Sequence, residues 1–262
     1  RDITYVPIER RVSKEIAEKI KQLGIDGVGL EETQSRSYPF GTMAANVLGF
    51  LSYADIWPRG QYGLEEFYNE ELAGSQNSFL ANSTANVGDS LVLTIDYNIQ
   101  RESEKVLGAL TEKFKIKDGT VIVMDPESGA ILTMASRPTF NPNEYSKVDD
   151  LGVFKNRATQ NNYEPGSGFK IFTMAVGLEK KVITPGTIYH DEGRVEVGDV
   201  TIKNYDAKAH GYQTMTQVLE KSLNTGAVFV MSQLNKKDFL NYLKDFGFDY
   251  KTKVDLVGEA KG

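Results

Sequence analysis

Residues 161–176 constrain the fold of this 262-residue chain more than any other stretch. A proline followed by Gly166 interrupts the preceding loop, and the apolar run after them predicts a helix that begins at about Ser167. Lys170 is the only charged residue in that run. A helix that is apolar nearly all round normally lies inside a domain, so we expect Lys170 to be buried.

Ser167 and Lys170 are spaced i and i+3, which places their Cβ atoms about 5–6 Å apart on one helical face. Burial of an ammonium group is costly, so the pKa of Lys170 should fall and its amine could act as a base. Such a pair can make a serine nucleophilic without a histidine. The alternative is that Ser167 caps its own helix while Lys170 reaches the surface, since S-x-x-K alone often occurs by chance.

Composition limits the classes of function. The length predicts one large or two modest domains, and 40% hydrophobic residues can bury a proper core. A net charge of −6 without a basic block predicts no binding of nucleic acid. The chain has no cysteine, and its two histidines, His190 and His210, lack a ligand-like spacing, so we expect no metal site.

The sequence also bears on membranes. It has no run of about 18 apolar residues and no signal peptide, which predicts no membrane-spanning helix within it. Because the chain opens at Arg1 rather than Met, we expect a fragment whose membrane anchor could lie upstream.

The first third of the chain carries no chemical motif. Periodicity predicts helices over residues 9–23, 42–48 and 63–73, and loose alternation predicts an exposed strand over residues 28–38. The next residues, up to Gly88, are small and polar, as a connection between domains should be. We therefore place a domain boundary near Gly88.

The following residues predict a domain of helices and strands. A helical stripe covers residues 97–115, and apolar runs over 120–124 and 130–135 flank a turn with an early proline and a late glycine, which favours a hairpin. Residues 136–162 lack periodicity. A long loop of this kind is often functional, although a solvated connection is an equal alternative.

A second candidate motif is the triplet Ser222-Leu223-Asn224, referred to below as the second triplet. It follows a predicted helix that starts with a capping box of Thr214 and Gln217. Another apolar helix is predicted over residues 225–234, which places the triplet on a loop between two helices. Taken alone, the triplet is best interpreted as a cap on the second helix, supplied by Asn224.

Together these segments resemble penicillin-binding proteins. Tyr-Glu-Pro-Gly before Ser167 and Phe before Lys170 are similar to the active-site helix of that family. Glu-Lys-Ser-Leu-Asn-Thr-Gly around Ser222 is similar to its second motif, with leucine in place of aspartate. Arg-Ser-Tyr-Pro-Phe-Gly (36–41) and Gly-Leu-Glu (63–65) resemble the elongated pedestal of class B members.

The resemblance implies an α+β fold, the penicillin-binding transpeptidase fold, in which helices cover both faces of an antiparallel sheet. It implies a non-catalytic pedestal domain of the dimerisation type over residues 1–88 and a transpeptidase domain over residues 89–262. The family's third motif, Lys-Thr-Gly or Lys-Ser-Gly, is absent, and Lys251-Thr252-Lys253 does not match it because its last residue carries a side chain. We therefore expect the C-terminal strands to be missing, with a second polypeptide completing the sheet or with this region poorly ordered.

For the site, the resemblance implies that Ser167 is the nucleophile, Lys170 its base and Ser222 a proton relay. Asn224 would hold the substrate amide and help to fix Lys170. The backbone N–H of Ser167 is expected to donate to the oxyanion, and no metal or organic cofactor is needed. Substrate contacts are expected from three further residues: Gly166, Asn156 and Thr225.

The implied activity is that of a serine D,D-transpeptidase, which would cross-link peptidoglycan stem peptides through an acyl-enzyme and be acylated by β-lactams. The implied location is the extracytoplasmic face of the bacterial cytoplasmic membrane, with cell-wall synthesis partners. Alternatives are a β-lactamase or D,D-carboxypeptidase, which passes the acyl group to water, and a non-catalytic scaffold or β-lactam sensor of the same fold. An unrelated amidase with a Ser-Lys pair is a further alternative.

Overall fold

The computed structural model of the chain describes residues 6, 8–9, 12–31, 35–53, 58–74 and 88–262. The chain divides into two compact units, Arg1–Phe154 and Lys155–Gly262. The predicted boundary near Gly88 lies within the first unit, and residues 75–87 of the predicted connection lie outside the described residues. None of the described helices is long and apolar enough to cross a bilayer.

The first unit combines short helices with two antiparallel strand pairs, β1 with β2 and β3 with β4. Its elements are α1 (Lys14–Leu23), α2 (Ala45–Leu48), β1 (Phe50–Ser52), β2 (Arg59–Gln61), α3 (Gly63–Phe67), α4 (Asn69–Ala73), α5 (Tyr97–Phe114), β3 (Gly119–Met124), β4 (Ile131–Arg137), and 3-10 helices over Pro142–Lys147 and Leu151–Phe154.

The local predictions in this unit have mixed outcomes. Ser13 caps α1 and Gly24 ends it in the left-handed conformation, which confirms the predicted helix. The strand predicted over residues 28–38 is wrong wherever that segment is described, because no strand forms there. The helix predicted over 63–73 is two short helices, because the backbone at Tyr68 leaves the helical conformation.

Side chains, rather than a strand ladder, hold the segment that contains Arg36 and Tyr38. The Tyr38 hydroxyl donates to Glu65 Oε1 (3.0 Å) and accepts the N–H of Leu51 (2.8 Å). Arg36 Nε lies 2.8 Å from the same Glu65 oxygen. Burial raises the pKa of Tyr38, so its phenol stays neutral and able to donate. The two segments quoted above for the pedestal therefore meet through Glu65.

The predicted helix over 97–115 and the hairpin after it are confirmed as α5, β3 and β4. The Gln100 side chain, which is fully buried, joins them: its Oε1 accepts the Thr133 hydroxyl (2.5 Å) and the Met134 N–H (3.0 Å). The stretch predicted as irregular, 136–162, is more ordered than expected, because it contains two 3-10 helices and, in the second unit, a short α-helix over Arg157–Gln160.

The second unit packs helices against two further antiparallel pairs, β5 with β8 and β6 with β7. Its elements are α6 (Arg157–Gln160), a 3-10 turn over Gly166–Phe169, α7 (Lys170–Glu179), β5 (Ile188–Asp191), β6 (Arg194–Val197), β7 (Val200–Lys203), β8 (Gly211–Thr214), α8 (Met215–Glu220), α9 (Asn224–Gln233) and α10 (Lys236–Asp245).

Close packing of α7 and α9 forms the centre of this unit. At Gly177 of α7 a Cβ would lie 2.8 Å from a methyl group of Val230 in α9, so a larger residue would force these helices or their side chains to shift. The predicted capping box is present, with the Thr214 side chain accepting from Gln217 and the reverse bond also formed. The buried core around these helices consists of Met174, Ile183, Tyr189, Met215, Val218, Leu223 and Val230.

The turn before α7 differs from the prediction in one respect. Ser167 lies in the 3-10 turn, and the α-helix proper begins at Lys170 rather than at about Ser167. Gly166 has a φ of +59°, whereas Gly168 does not have a positive φ, and an added Cβ at either position would meet no atom within 4 Å. A Cβ would therefore fit at both positions, and the two glycines differ only in whether their backbone φ is positive.

We predict that Tyr38→Phe lowers the free energy of unfolding by about 1–3 kcal/mol, because the Leu51 N–H and Glu65 would both lose a buried partner. Tyr97→Phe is the matched control, since Tyr97 is 46% exposed, and we expect it to change stability by less than about 0.5 kcal/mol. Urea denaturation measures both. Equal effects of the two substitutions would contradict a structural role for the Tyr38 hydroxyl.

We predict opposite effects from Gly166→Ala and Gly168→Ala. The first should destabilise the chain by about 1–2 kcal/mol, because a Cβ disfavours the left-handed conformation. The second should stabilise it by about 0.4–1 kcal/mol, because alanine restricts the unfolded chain. Thermal unfolding of the two variants, each serving as control for the other, measures this, and the same sign for both would contradict the assignment.

Candidate active site

Lys170 lies at the centre of a small group of oxygen atoms. Its Nζ is 3.2 Å from Ser167 Oγ, 3.0 Å from Ser222 Oγ and 2.6 Å from the backbone oxygen of Ser222. The residue is only 8% exposed, and no carboxylate among the described residues forms an ion pair with it. Burial lowers the pKa of Lys170, as the sequence predicts.

These three contacts suit both protonation states of Lys170. An ammonium group has three N–H donors, one for each oxygen. A neutral amine has two N–H bonds and a lone pair; the backbone oxygen of Ser222 must accept one N–H, and the lone pair can accept the hydroxyl proton of Ser167. The geometry therefore allows Lys170 to take a proton from Ser167 without losing its other contacts.

The 3-10 turn explains why Ser167 reaches Lys170. Side chains at i and i+3 of a 3-10 helix are eclipsed, so the turn aligns the hydroxyl with the amine better than an α-helix would. The N–H of Lys170 donates to the carbonyl of Ser167, which closes this turn. The predicted Ser-Lys contact is thus present, although the local geometry differs from the prediction.

Ser222 reaches Lys170 from the end of α8. Its φ is +52°, and the N–H of Ser222 donates to Leu219 while that of Leu223 donates to Val218. These bonds form a Schellman motif, in which the left-handed position usually holds glycine. In this conformation both the carbonyl and the hydroxyl oxygen of Ser222 contact the same amine.

The structure corrects two expectations for Asn224. Asn224 is the first residue of α9, and Leu223 occupies the capping position without a side-chain cap, so the cap interpretation is wrong. No hydrogen bond joins Asn224 to Lys170 in the described part of the chain; instead Asn224 Nδ2 donates to the carbonyl of Lys203 (2.7 Å). Because that partner is an acceptor, the amide orientation is fixed, and Oδ1 is the atom left for another donor.

The three expected substrate contacts lie in different settings. Gly166 is exposed beside Ser167. Asn156 is buried and caps α6, its Oδ1 accepting the N–H of Ala158 (3.1 Å). Thr225 is also buried, and its hydroxyl donates to Asp191 Oδ1 (2.7 Å). The contacts of Asn156 and Thr225 support structural roles, and their substrate contacts stay predictions.

Lys251-Thr252-Lys253 does not form a strand. Lys253 has a φ of +64°, and the carboxylate of Glu259 accepts both the N–H and the hydroxyl of Thr252 (each 2.6 Å). This tripeptide is a local loop, in agreement with its rejection as the third motif.

A buried polar cluster that local sequence patterns do not predict lies beside the triplet Ser222-Leu223-Asn224. Asp191 is fully buried, and Asn204 is 3% exposed; both contact Thr225. The one available signal was Asp191-Glu192-Gly193, which is typical of a turn. Nothing in that pattern indicates burial or the distant partners.

Comparisons with known proteins agree with the motifs. The family model described as the penicillin-binding protein transpeptidase domain matches residues 119–262, and the one described as the penicillin-binding protein dimerisation domain matches residues 2–88. Stage V sporulation protein D of Bacillus subtilis is 35% identical, over 98% of this chain and 42% of its own length. Penicillin-binding protein PbpB of Mycolicibacterium smegmatis is 29% identical, over 99% of this chain and 42% of its own length.

Solved structures show the same relationship. The D,D-transpeptidase domain of a peptidoglycan glycosyltransferase from Eggerthella lenta aligns with a TM-score of 0.73 and 30% identity, over 87% of this chain and 51% of that one. A putative peptidoglycan glycosyltransferase from Atopobium parvulum aligns with a TM-score of 0.73 and 28% identity, over 86% of this chain and 52% of that one. The chain thus has the α+β transpeptidase fold, and it spans 42–44% of the length of the first curated relatives it matches. The motifs, the two family models and these neighbours agree, and the chain belongs to the class B penicillin-binding proteins.

Proposed function

We propose that this chain carries the acylation machinery of a serine D,D-transpeptidase that cross-links peptidoglycan stem peptides. The observation that carries the proposal is the position of the Lys170 amine, which is buried, has no counter-ion among the described residues, and lies 3.2 Å and 3.0 Å from the hydroxyl oxygens of Ser167 and Ser222. A lysine held in this way can deprotonate one hydroxyl and pass the proton to the other.

The reaction follows from these contacts. Ser167 Oγ bonds to the carbonyl carbon of the penultimate D-alanine, and its proton moves to the Lys170 amine. The bond from that carbon to the nitrogen of the terminal D-alanine then breaks, and the leaving nitrogen receives the proton through the hydroxyl of Ser222. An amine of a neighbouring strand attacks the resulting ester, returns a proton to the site and releases Ser167.

Two further groups serve the substrate in this proposal. Asn224 Oδ1 is free to accept an N–H of the stem peptide, since the nitrogen of the same amide is engaged by Lys203. The N–H of Ser167, at the first turn of a helical segment, is an oxyanion donor, because such groups have no partner within the helix. Gly166 keeps the approach to Ser167 open, since no side chain stands there.

The wider setting is part of the same proposal. Residues 1–88 act as a non-catalytic pedestal and residues 89–262 contribute the transpeptidase domain. The protein works at the outer face of the bacterial cytoplasmic membrane, held by an anchor outside this chain and accompanied by other cell-wall synthesis proteins.

We predict that a fluorescent penicillin forms a stable ester with Ser167, located by mass spectrometry of peptides, and that Ser167→Ala abolishes it. Lys170→Arg should reduce the rate constant of acylation by about 10²–10⁴, because a guanidinium cannot take the proton. Ser232→Ala, which removes an exposed hydroxyl in α9, and Lys180→Arg, which keeps the charge at the end of α7, are the controls.

Four results would oppose this prediction. An adduct on another serine, or equal effects of Lys170→Arg and Lys180→Arg, would contradict the assigned roles. Rapid release of hydrolysed penicillin would favour a β-lactamase, and no adduct on a protein that contains this chain at full length would favour a non-catalytic scaffold.

We also predict the pH dependence of acylation. The neutral amine of Lys170 is the active form, and burial lowers its pKa, so the rate should rise with pH around a midpoint below the ordinary lysine value of about 10.4. Stopped-flow measurement of acylation between about pH 6 and about pH 11.5 tests this, and Lys180→Arg is the control, whose midpoint should be unchanged. A rate that increases only above the ordinary lysine pKa would contradict a role for a buried base.

A further inference from the structure

The buried carboxylate of Asp191 is the common acceptor of the polar cluster beside the second triplet. One of its oxygens accepts the Thr225 hydroxyl (2.7 Å) and the N–H of Gly193 (2.9 Å). The other accepts Asn204 Nδ2 (2.8 Å) and the N–H of His210 (3.1 Å). Four neutral donors from four parts of the chain therefore meet on one side chain.

The cluster ties the start of α9 to the end of β7. Asn204 follows β7 directly, and its Oδ1 accepts the N–H of Thr225 (3.3 Å). The preceding residue, Lys203, accepts Asn224 Nδ2 through its carbonyl (2.7 Å). The first two residues of α9, Asn224 and Thr225, are thus bonded to Lys203 and Asn204 at the end of β7.

The position of Ser222 depends on both ends of its turn. A non-glycine residue at positive φ is strained and persists only when its surroundings hold it there. The Schellman bonds hold Ser222 on the side of α8, and fully buried Leu223 connects it to the start of α9. On the side of α9, the first side chains that anchor the backbone are those of Asn224 and Thr225.

A purely structural explanation does not account for the chemistry of the cluster. A buried carboxylate without a cation is costly, and apolar side chains would fill the same space with less penalty. Burial raises the pKa of Asp191, but the hydrogen bonds from Thr225, Gly193, His210 and Asn204 outweigh it and lower the pKa overall. Unlike an apolar residue, Asp191 makes directional hydrogen bonds to four donors, which fix the relative positions of the segments that carry them.

We propose that Asp191, Asn204 and Thr225 are positioning residues that fix Ser222 against Lys170 through the start of α9. This inference rests on the proposed function, since it concerns how the proton relay is held. None of the three touches the reacting atoms. They act on the distance between the Lys170 amine and the two oxygens of Ser222.

A graded series at Thr225 tests the proposal in the full chain. Thr225→Ser keeps the hydroxyl, Thr225→Cys keeps a weak donor, and Thr225→Val keeps the shape but leaves Asp191 without that donor. Acylation by penicillin should fall about tenfold to a hundredfold in Thr225→Val, because small displacements of catalytic groups cost this much. Thr225→Cys should be intermediate, and Thr225→Ser should retain most of the rate.

A second readout does not depend on acylation. The pKa of Lys170, followed by NMR of its ¹³C-labelled Cε and assigned with Lys170→Arg, should rise by about half a pH unit or more in Thr225→Val as water enters the loosened turn. Thr133→Val is the matched control, because it removes a buried threonine hydroxyl from the first unit. It should lower stability without changing the titration of Lys170.

The two readouts separate this inference from the proposed function. If Thr225→Val and Thr225→Cys lower stability but leave both the acylation rate and the Lys170 titration unchanged, the cluster is only structural and the inference is wrong. If the unsubstituted chain is never acylated while its Lys170 titration still follows the Thr225 series, the proposed function fails and the positioning role stands. If Thr225→Val does not fold, the comparison of Thr225→Cys with Thr225→Ser decides.

Discussion

The main constraint on the second unit is that the amine of Lys170 is shielded from solvent and lies within hydrogen-bonding distance of two hydroxyl groups. Lys170 is buried at the start of α7, the helix that packs closely on α9 at Gly177. Desolvation lowers the pKa of the amine, and the oxygens of Ser167 and Ser222 satisfy its hydrogen bonds in either protonation state. An apolar residue at this position would pack more easily, and the proposed role of Lys170 as a base would explain a lysine that costs stability, since functional sites often cost stability.

Both hydroxyls that contact Lys170 belong to the ends of helices rather than to their middles. Ser167 lies in the tight turn before α7, directly after a glycine at positive φ, and Ser222 itself has a positive φ after α8. At helix ends the backbone can leave the regular path and side chains can be directed across the space between elements. The cost of the strained backbone at Ser222 is offset by its surroundings, namely the Schellman bonds and the buried leucine beside it.

The sequence predicted the features that local spacing determines. The helix α5, the following hairpin, the capping box at Thr214 and the contact of Ser167 with Lys170 all arise from residues close in the chain. Features that depend on distant partners were missed or wrong. The segment around Tyr38 is held by Glu65 and not by a strand, and Asn224 donates to Lys203 and not to Lys170. These contacts could not be predicted, because neither partner can be identified from neighbouring residues.

The two units use a buried carboxylate in different ways. Glu65 has a cation beside it, Arg36, whereas Asp191 has only neutral donors among its described hydrogen bonds. Since the folded pKa of Asp191 is lowered, its stabilising effect is present above the unfolded value of about 3.9 and is lost as pH falls through the folded pKa. Lys170, whose pKa is also lowered, becomes neutral as pH rises. In the proposed roles, protonation of Asp191 in acid would weaken its hold on Ser222, whereas rising pH favours both the carboxylate of Asp191 and the neutral amine of Lys170, so the same direction of pH suits both groups.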